Sequence, residues 1–102
     1  MSLITVTSDS IKELKDKEEV VVEFWAPWCG YCKRLAPVLK QVAKDVDIYQ
    51  VNIDDLEAFS DEYGIETIPT LLVLRKGVAS NQLIAPQAKA VITDWLKSEN
   101  IQ

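Results

Sequence analysis

The chain has 102 residues, 48% hydrophobic and 26% charged, which fits one compact domain over 1–102 and excludes a disordered or collagen-like chain. Sixteen acidic residues against eleven basic give a net charge of −5, with the basic ones scattered, so nucleic acid is not an expected partner. There is no histidine, which removes Ser-His-Asp, Cys-His and histidine-zinc chemistry together and leaves proton transfer to carboxylates, thiols or water.

In chain order, Leu3 to Thr7 alternates apolar and polar residues and predicts a short edge strand. Ser10 with Glu13 forms a capping box for a first helix ending near Lys17. Val20 to Trp25 is an apolar run broken only by Glu23, the pattern of a central strand covered on both faces. From Cys32 to Val46, Leu35, Val38, Leu39, Val42, Ala43 and Val46 recur at helical spacing, with a kink expected at Pro37.

Asp47 to Asn52 reads as a second buried strand, and Leu56, Phe59 and Tyr63 mark a short helix closed by Gly64. Thr70 to Leu74 is a further strand, and Arg75-Lys76-Gly77 turns Val78 to Ile84 back against it as an antiparallel partner. A last helix starts near Pro86 or Gln87 and carries Val91, Ile92, Trp95 and Leu96 on one side. The order β-α-β-α-β-α-β-β-α predicts an α/β sandwich with a mixed sheet covered on both faces.

No apolar run approaches the roughly 20 residues that cross a bilayer, so no membrane association is expected. The start, Met1 to Asp9, lacks a basic region followed by an apolar one, so no secretory signal is read and a cytoplasmic location is expected. Two cysteines without histidine are too few for a zinc or iron-sulfur site within one chain, so no metal is assigned. Asp54, Asp55 and Glu57 read as a solvated helix start.

Trp28-Cys29-Gly30-Tyr31-Cys32-Lys33 lies where the central strand gives way to the long helix. Two intervening residues at a helix start put Cys29 at the exposed end and Cys32 one turn in, within reach of a disulfide. The thiolate is the nucleophile in disulfide exchange, and the first-turn amides, the positive end of the helix dipole and Lys33 all favour negative sulfur. Cys29 is therefore the expected attacking thiol and Cys32 the resolving one. A purely structural disulfide is a weak rival, because so short a loop restricts the unfolded chain little.

Glu23-Phe24-Trp25-Ala26-Pro27-Trp28-Cys29-Gly30-Tyr31-Cys32-Lys33, Ala36-Pro37, Asn52-Ile53-Asp54, Tyr63-Gly64-Ile65 and Thr67-Ile68-Pro69-Thr70 stand in the order and spacing of the thioredoxin family. The chain resembles that family over nearly its whole length. The resemblance implies a thioredoxin fold, a mixed five-stranded sheet flanked by four helices, with Ile68-Pro69 in the cis form beside the cysteines. It implies that Ile68 offers backbone groups to an extended substrate and that Trp28 and Ile68 add apolar contact, with Pro69 guiding the substrate. It also implies electrons from NADPH through a separate flavin-containing thioredoxin reductase, with no cofactor bound to this chain.

Four positions depart from the best-known bacterial pattern. Tyr31 replaces the usual proline between the cysteines, so with Gly30 and Lys33 it is expected to tune the Cys29 thiolate. Glu23 stands in place of a buried aspartate, as in protein disulfide isomerase domains. Its carboxyl group, raised in pKa by an apolar strand, is expected to exchange a proton with Cys32. Gln50 occupies the family's lysine position, which removes the usual cation beside that carboxyl group. Ala85 stands where a glycine usually borders the substrate groove.

The expected function is reduction of disulfides in other proteins by a monomeric cytoplasmic protein-disulfide reductase. One rival is a disulfide oxidant or isomerase, or a glutathione-linked relative, favoured by Tyr31 and Glu23. The other is a binding module whose cysteines are incidental.

Overall fold

The computed structural model describes residues 2–101. Its strands are β1 (Leu3–Thr5), β2 (Val20–Trp25), β3 (Ile48–Asn52), β4 (Thr70–Arg75), β5 (Val78–Ala79) and β6 (Leu83–Ile84). Its helices are α1 (Ile11–Asp16, led by a 3-10 turn at Ser8–Ser10), α2 (Gly30–Val42), α3 (Glu57–Glu62) and α4 (Lys89–Ser98). The sheet runs β1-β3-β2-β4-β5, with β6 also paired to β4. β1, β3 and β2 are mutually parallel through crossover helices, and β4 runs antiparallel to β2. This is the thioredoxin fold that the resemblance implies.

Alternation along β2 and β4 builds the two cores. Val20, Val22, Phe24, Leu72 and Leu74 face Leu14 of α1 and Phe59 of α3. Val21, Leu71 and Val73 face Leu35 and Leu39 of α2 and Ile92 and Leu96 of α4. A strand with helices on both sides has no face for water, which explains the near-continuous apolar run. Each fully buried aliphatic or aromatic side chain contributes about 1.5–3 kcal/mol through removal from water. Glu23 lies in this run at 2% exposure, in register with Gln50 of β3.

Several boundaries differ from the sequence expectation. The Ser10 hydroxyl turns back to Thr7, accepting from its amide at 2.9 Å, so the box is closed with Thr7 and not with Glu13. α2 begins at Gly30 and ends at Val42, not Val46, because the amides of Lys44 and Asp45 bond three residues back and tighten the last turn. Val46 still packs against the core, so its apolar spacing outlasts the helix. α2 is continuous across Pro37. α4 begins at Lys89 and not near Pro86, because Ala88 stays extended while its carbonyl accepts from Val91 and Ile92.

The hairpin after β4 pairs Arg75 with Val78 across Lys76 and Gly77, both with positive φ (52° and 80°). That geometry matches the twist of the flanking strands and needs glycine at its second position. The expected strand Val78 to Ile84 is divided into β5 and β6. Ser80 interrupts it: its hydroxyl accepts from the Val73 amide at 2.9 Å, where a strand carbonyl would otherwise stand. At the other punctuation point, Gly64 (φ 66°) closes α3, and the next amide, of Ile65, returns to the Ser60 carbonyl at 3.2 Å.

Candidate active site

β2 delivers the chain at Trp25 into the turn Ala26-Pro27-Trp28, closed by the Cys29 amide on the Ala26 carbonyl at 3.1 Å. Cys29 is the N-cap of α2: its backbone is extended and its Sγ accepts from the Cys32 amide at 3.1 Å. Sulfur thus takes the place that a serine or aspartate oxygen holds at an ordinary N-cap, where an orphan amide and the helix dipole favour negative charge. Cys29 and Cys32 are joined as a disulfide with Cα atoms 5.3 Å apart.

The expected contrast in exposure is not present: Cys29 is 7% and Cys32 5% exposed, packed with Ala26 beside Trp25, Tyr31, Ile53 and Ile68. Apolar neighbours on both sides cover the two residues almost equally. What distinguishes the sulfurs is the amide hydrogen bond that Cys29 accepts.

Ile68-Pro69 is a cis peptide bond, with Pro69 buried and Ile68 half-buried against the cysteine cluster. Trp28 is 65% exposed, and its indole N–H donates to Asp54 Oδ2 at 2.8 Å. That carboxylate anchors an apolar ring in water beside the disulfide. In the sequence Asp54 belongs to the family run Asn52-Ile53-Asp54 and to a solvated helix start, and nothing local marks a partner that lies 26 positions away.

Behind the disulfide, Glu23, Cys32, Lys33, Lys40 and Gln50 line one cavity of about 250 Å³. Burial pushes the Glu23 carboxyl up to about 7, opposed in part by the Gln50 side-chain amide, which donates to Oε1 at 2.9 Å. Glu23 is thus poised to hold or release a proton near neutral pH, in the cavity that Cys32 shares.

Lys33 is exposed on this cavity and bonds through its amide to the Cys29 carbonyl at 3.1 Å. A Cβ on Gly30 would meet only Arg34 Nη1, at an ordinary 3.6 Å, so packing within the chain does not require glycine there. Tyr31 is half-buried, and its hydroxyl leaves the cysteines and donates to the Ala85 carbonyl at 2.8 Å. Among the described residues, no group of three or more His, Cys, Asp or Glu side chains is placed to hold a metal, and no helix is long and apolar enough to cross a membrane.

The thioredoxin family model matches residues 2–98. The chain is 36% identical over 97 residues to thioredoxin from Rickettsia felis, covering 89% of this chain and 92% of that protein. It is 32% identical over 113 residues to the chloroplastic M-type thioredoxin of Spinacia oleracea, covering 94% of this chain and 62% of that longer protein. A solved mutant thioredoxin from Halobacterium salinarum NRC-1 aligns with a TM-score of 0.82 at 25% identity, covering 95% of this chain and 89% of that one.

Proposed function

The chain belongs to the thioredoxin family, and we propose that its protein-disulfide reductase activity runs through Cys29 as the attacking thiol and Cys32 as the resolving thiol. The Cys29 sulfur at the head of α2, accepting a hydrogen bond from the Cys32 amide, carries this assignment. An amide that stabilises a thiolate at position 29 raises the fraction of Cys29 ready to attack at neutral pH and makes it the better leaving group.

In the reduced chain, Cys29 thiolate attacks one sulfur of a substrate disulfide and expels the other as a thiolate. A mixed disulfide joins Cys29 to substrate. Cys32 then loses its proton, to Glu23 directly or through water, and its sulfur attacks Cys29 Sγ. The second substrate sulfur leaves and is protonated. Two electrons have passed to substrate, and the chain holds the Cys29–Cys32 disulfide seen here.

Ile68 packs against the cysteines and exposed Trp28 adjoins them in the chain, and on this reading they supply the substrate-binding rim together with Pro69, the cis neighbour of Ile68. Gly30 and Tyr31 set the main chain of the helix start and Lys33 adds charge there, while the Tyr31 hydroxyl points away from the sulfurs to the Ala85 carbonyl. The same reading takes the chain as one domain acting as a monomer in the cytoplasm, where thiols are kept reduced. No cofactor is bound on this reading; the two electrons return from NADPH through a separate thioredoxin reductase.

The test is reconstitution with NADPH, a bacterial thioredoxin reductase and insulin. Sustained NADPH consumption that depends on the chain is the expected result. Recycling by glutathione but not by the reductase would transfer the protein to the glutathione-linked class that Tyr31 and Glu23 favour.

A further inference from the structure

The two walls of the site meet through one hydroxyl. Tyr31, on the first turn of α2, donates to the Ala85 carbonyl at 2.8 Å, with the Pro86 carbonyl also in range at 3.2 Å. Ala85 in turn donates its amide to the Pro69 carbonyl at 2.8 Å. A short relay of hydrogen bonds therefore runs from the residue between the cysteines, through Ala85, to the cis proline.

The middle of that relay is conformationally unfavourable. Ala85 has φ 46°, in the left-handed region where a Cβ crowds the backbone and which L-residues other than glycine, asparagine and aspartate rarely hold. Such a residue persists when its surroundings over-determine it. Here a bond on its amide and another on its carbonyl do so. Tyr31 is itself steadied, with the Arg34 guanidinium 5.4 Å from its ring centroid and Pro86 across a shared cleft. Next to Ala85, Ile84 is 55% exposed, which extends the apolar rim begun by Trp28 and Ile68.

We propose that Tyr31 is a specificity-determining positioning residue: its hydroxyl holds Ala85 in the left-handed conformation and so sets the substrate-binding rim at Ile84–Pro86 against the cysteines. The role rests on the reading of Cys29 as the attacking thiol. A large, folded disulfide substrate must lie along this rim to present its sulfur, whereas a small disulfide reaches Cys29 without it. Loss of the hydroxyl therefore penalises protein substrates selectively, through fit and not through sulfur chemistry.

The experiment compares Tyr31→Phe with the wild-type chain, each pre-reduced and mixed with insulin or with hydroxyethyl disulfide. The insulin rate constant, divided by that for the small disulfide, is expected to fall about fivefold, the factor a neutral hydrogen bond of ordinary net strength supplies. The reduction potential is expected to stay at the wild-type value. Adding Ala85→Gly, which makes the left-handed conformation free of Cβ crowding, is expected to restore most of the ratio.

Equal losses on both substrates overturn the role, since a damaged fold or a retuned thiolate acts on both. A shifted potential, or no recovery with Ala85→Gly, overturns it as well. A wild-type chain that reduces neither disulfide would overturn the function itself and the specificity role with it, whereas an active wild type with an unaltered ratio in Tyr31→Phe overturns only the role.

Discussion

Cys32→Ser stalls the chain as a covalent complex with its substrate. With Cys29 intact the first exchange proceeds, but a hydroxyl at position 32 cannot displace a thiol from the mixed disulfide, so turnover falls by about a hundredfold or more while the adduct accumulates. Cys29→Ser forms no adduct, because the remaining sulfur sits inside the first turn of α2 without the N-cap geometry and the amide hydrogen bond that favour a thiolate at position 29. Non-reducing electrophoresis and mass spectrometry of chain mixed with a disulfide protein read the two outcomes directly. An adduct formed equally by either single-cysteine chain would contradict the division of roles. Full biological activity with both cysteines replaced by serine would leave only a binding module.

Glu23 carries the second large effect, and it is one of stability against pH. A carboxyl group raised in the folded chain from 4.5 to about 7 binds its proton more tightly folded than unfolded. Its contribution is therefore fully present below pH 4.5 and is lost as pH rises through about 7. At ~1.4 kcal/mol per pKa unit, the ionised group costs about 3–3.5 kcal/mol of folding free energy above that window. Glu23→Gln keeps the shape and removes the charge. In the oxidised protein, urea unfolding is expected to show Glu23→Gln more stable than wild type by about that amount at pH 8, and close to it at pH 4.5. A stability difference that does not change with pH would mean that folding does not raise the Glu23 pKa. The same substitution slows resolution of the mixed disulfide if Glu23 takes the Cys32 proton.

Legibility in the sequence followed the range of the interaction. Val20–Trp25 was readable to the residue, because burial on both faces writes itself as an apolar run, and the cysteine motif was readable because its chemistry is local. Helix ends were less so. Val46 keeps the apolar period of α2 while lying outside it, since a core-facing turn and a core-facing helix bury the same residues. The division of the last strand depends on Ser80 meeting Val73, a side-chain bond that no hydropathy pattern encodes.

The site shows the same limit. Glu23 and Gln50 could be paired in advance only through the family likeness, and the structure joins them at 2.9 Å. Tyr31 was legible as a departure between the cysteines, but its partner lies 54 positions away, so its contact with Ala85 was not. The burial of Cys29 also escaped the sequence, because Ile53 and Ile68, from segments distant in the chain, close over it beside Tyr31.

Reduction of protein disulfides requires a dithiol that gives up its electrons readily, and the equilibrium potential of Cys29 and Cys32 tests this most directly. Glutathione buffers of graded ratio, with the dithiol fraction followed by alkylation shift, supply the value. The reference is the roughly −270 mV typical of thioredoxins, and a result near it is what the reductase account requires. A potential of about −200 mV or higher would contradict the account and place the chain among glutathione-linked or oxidising proteins.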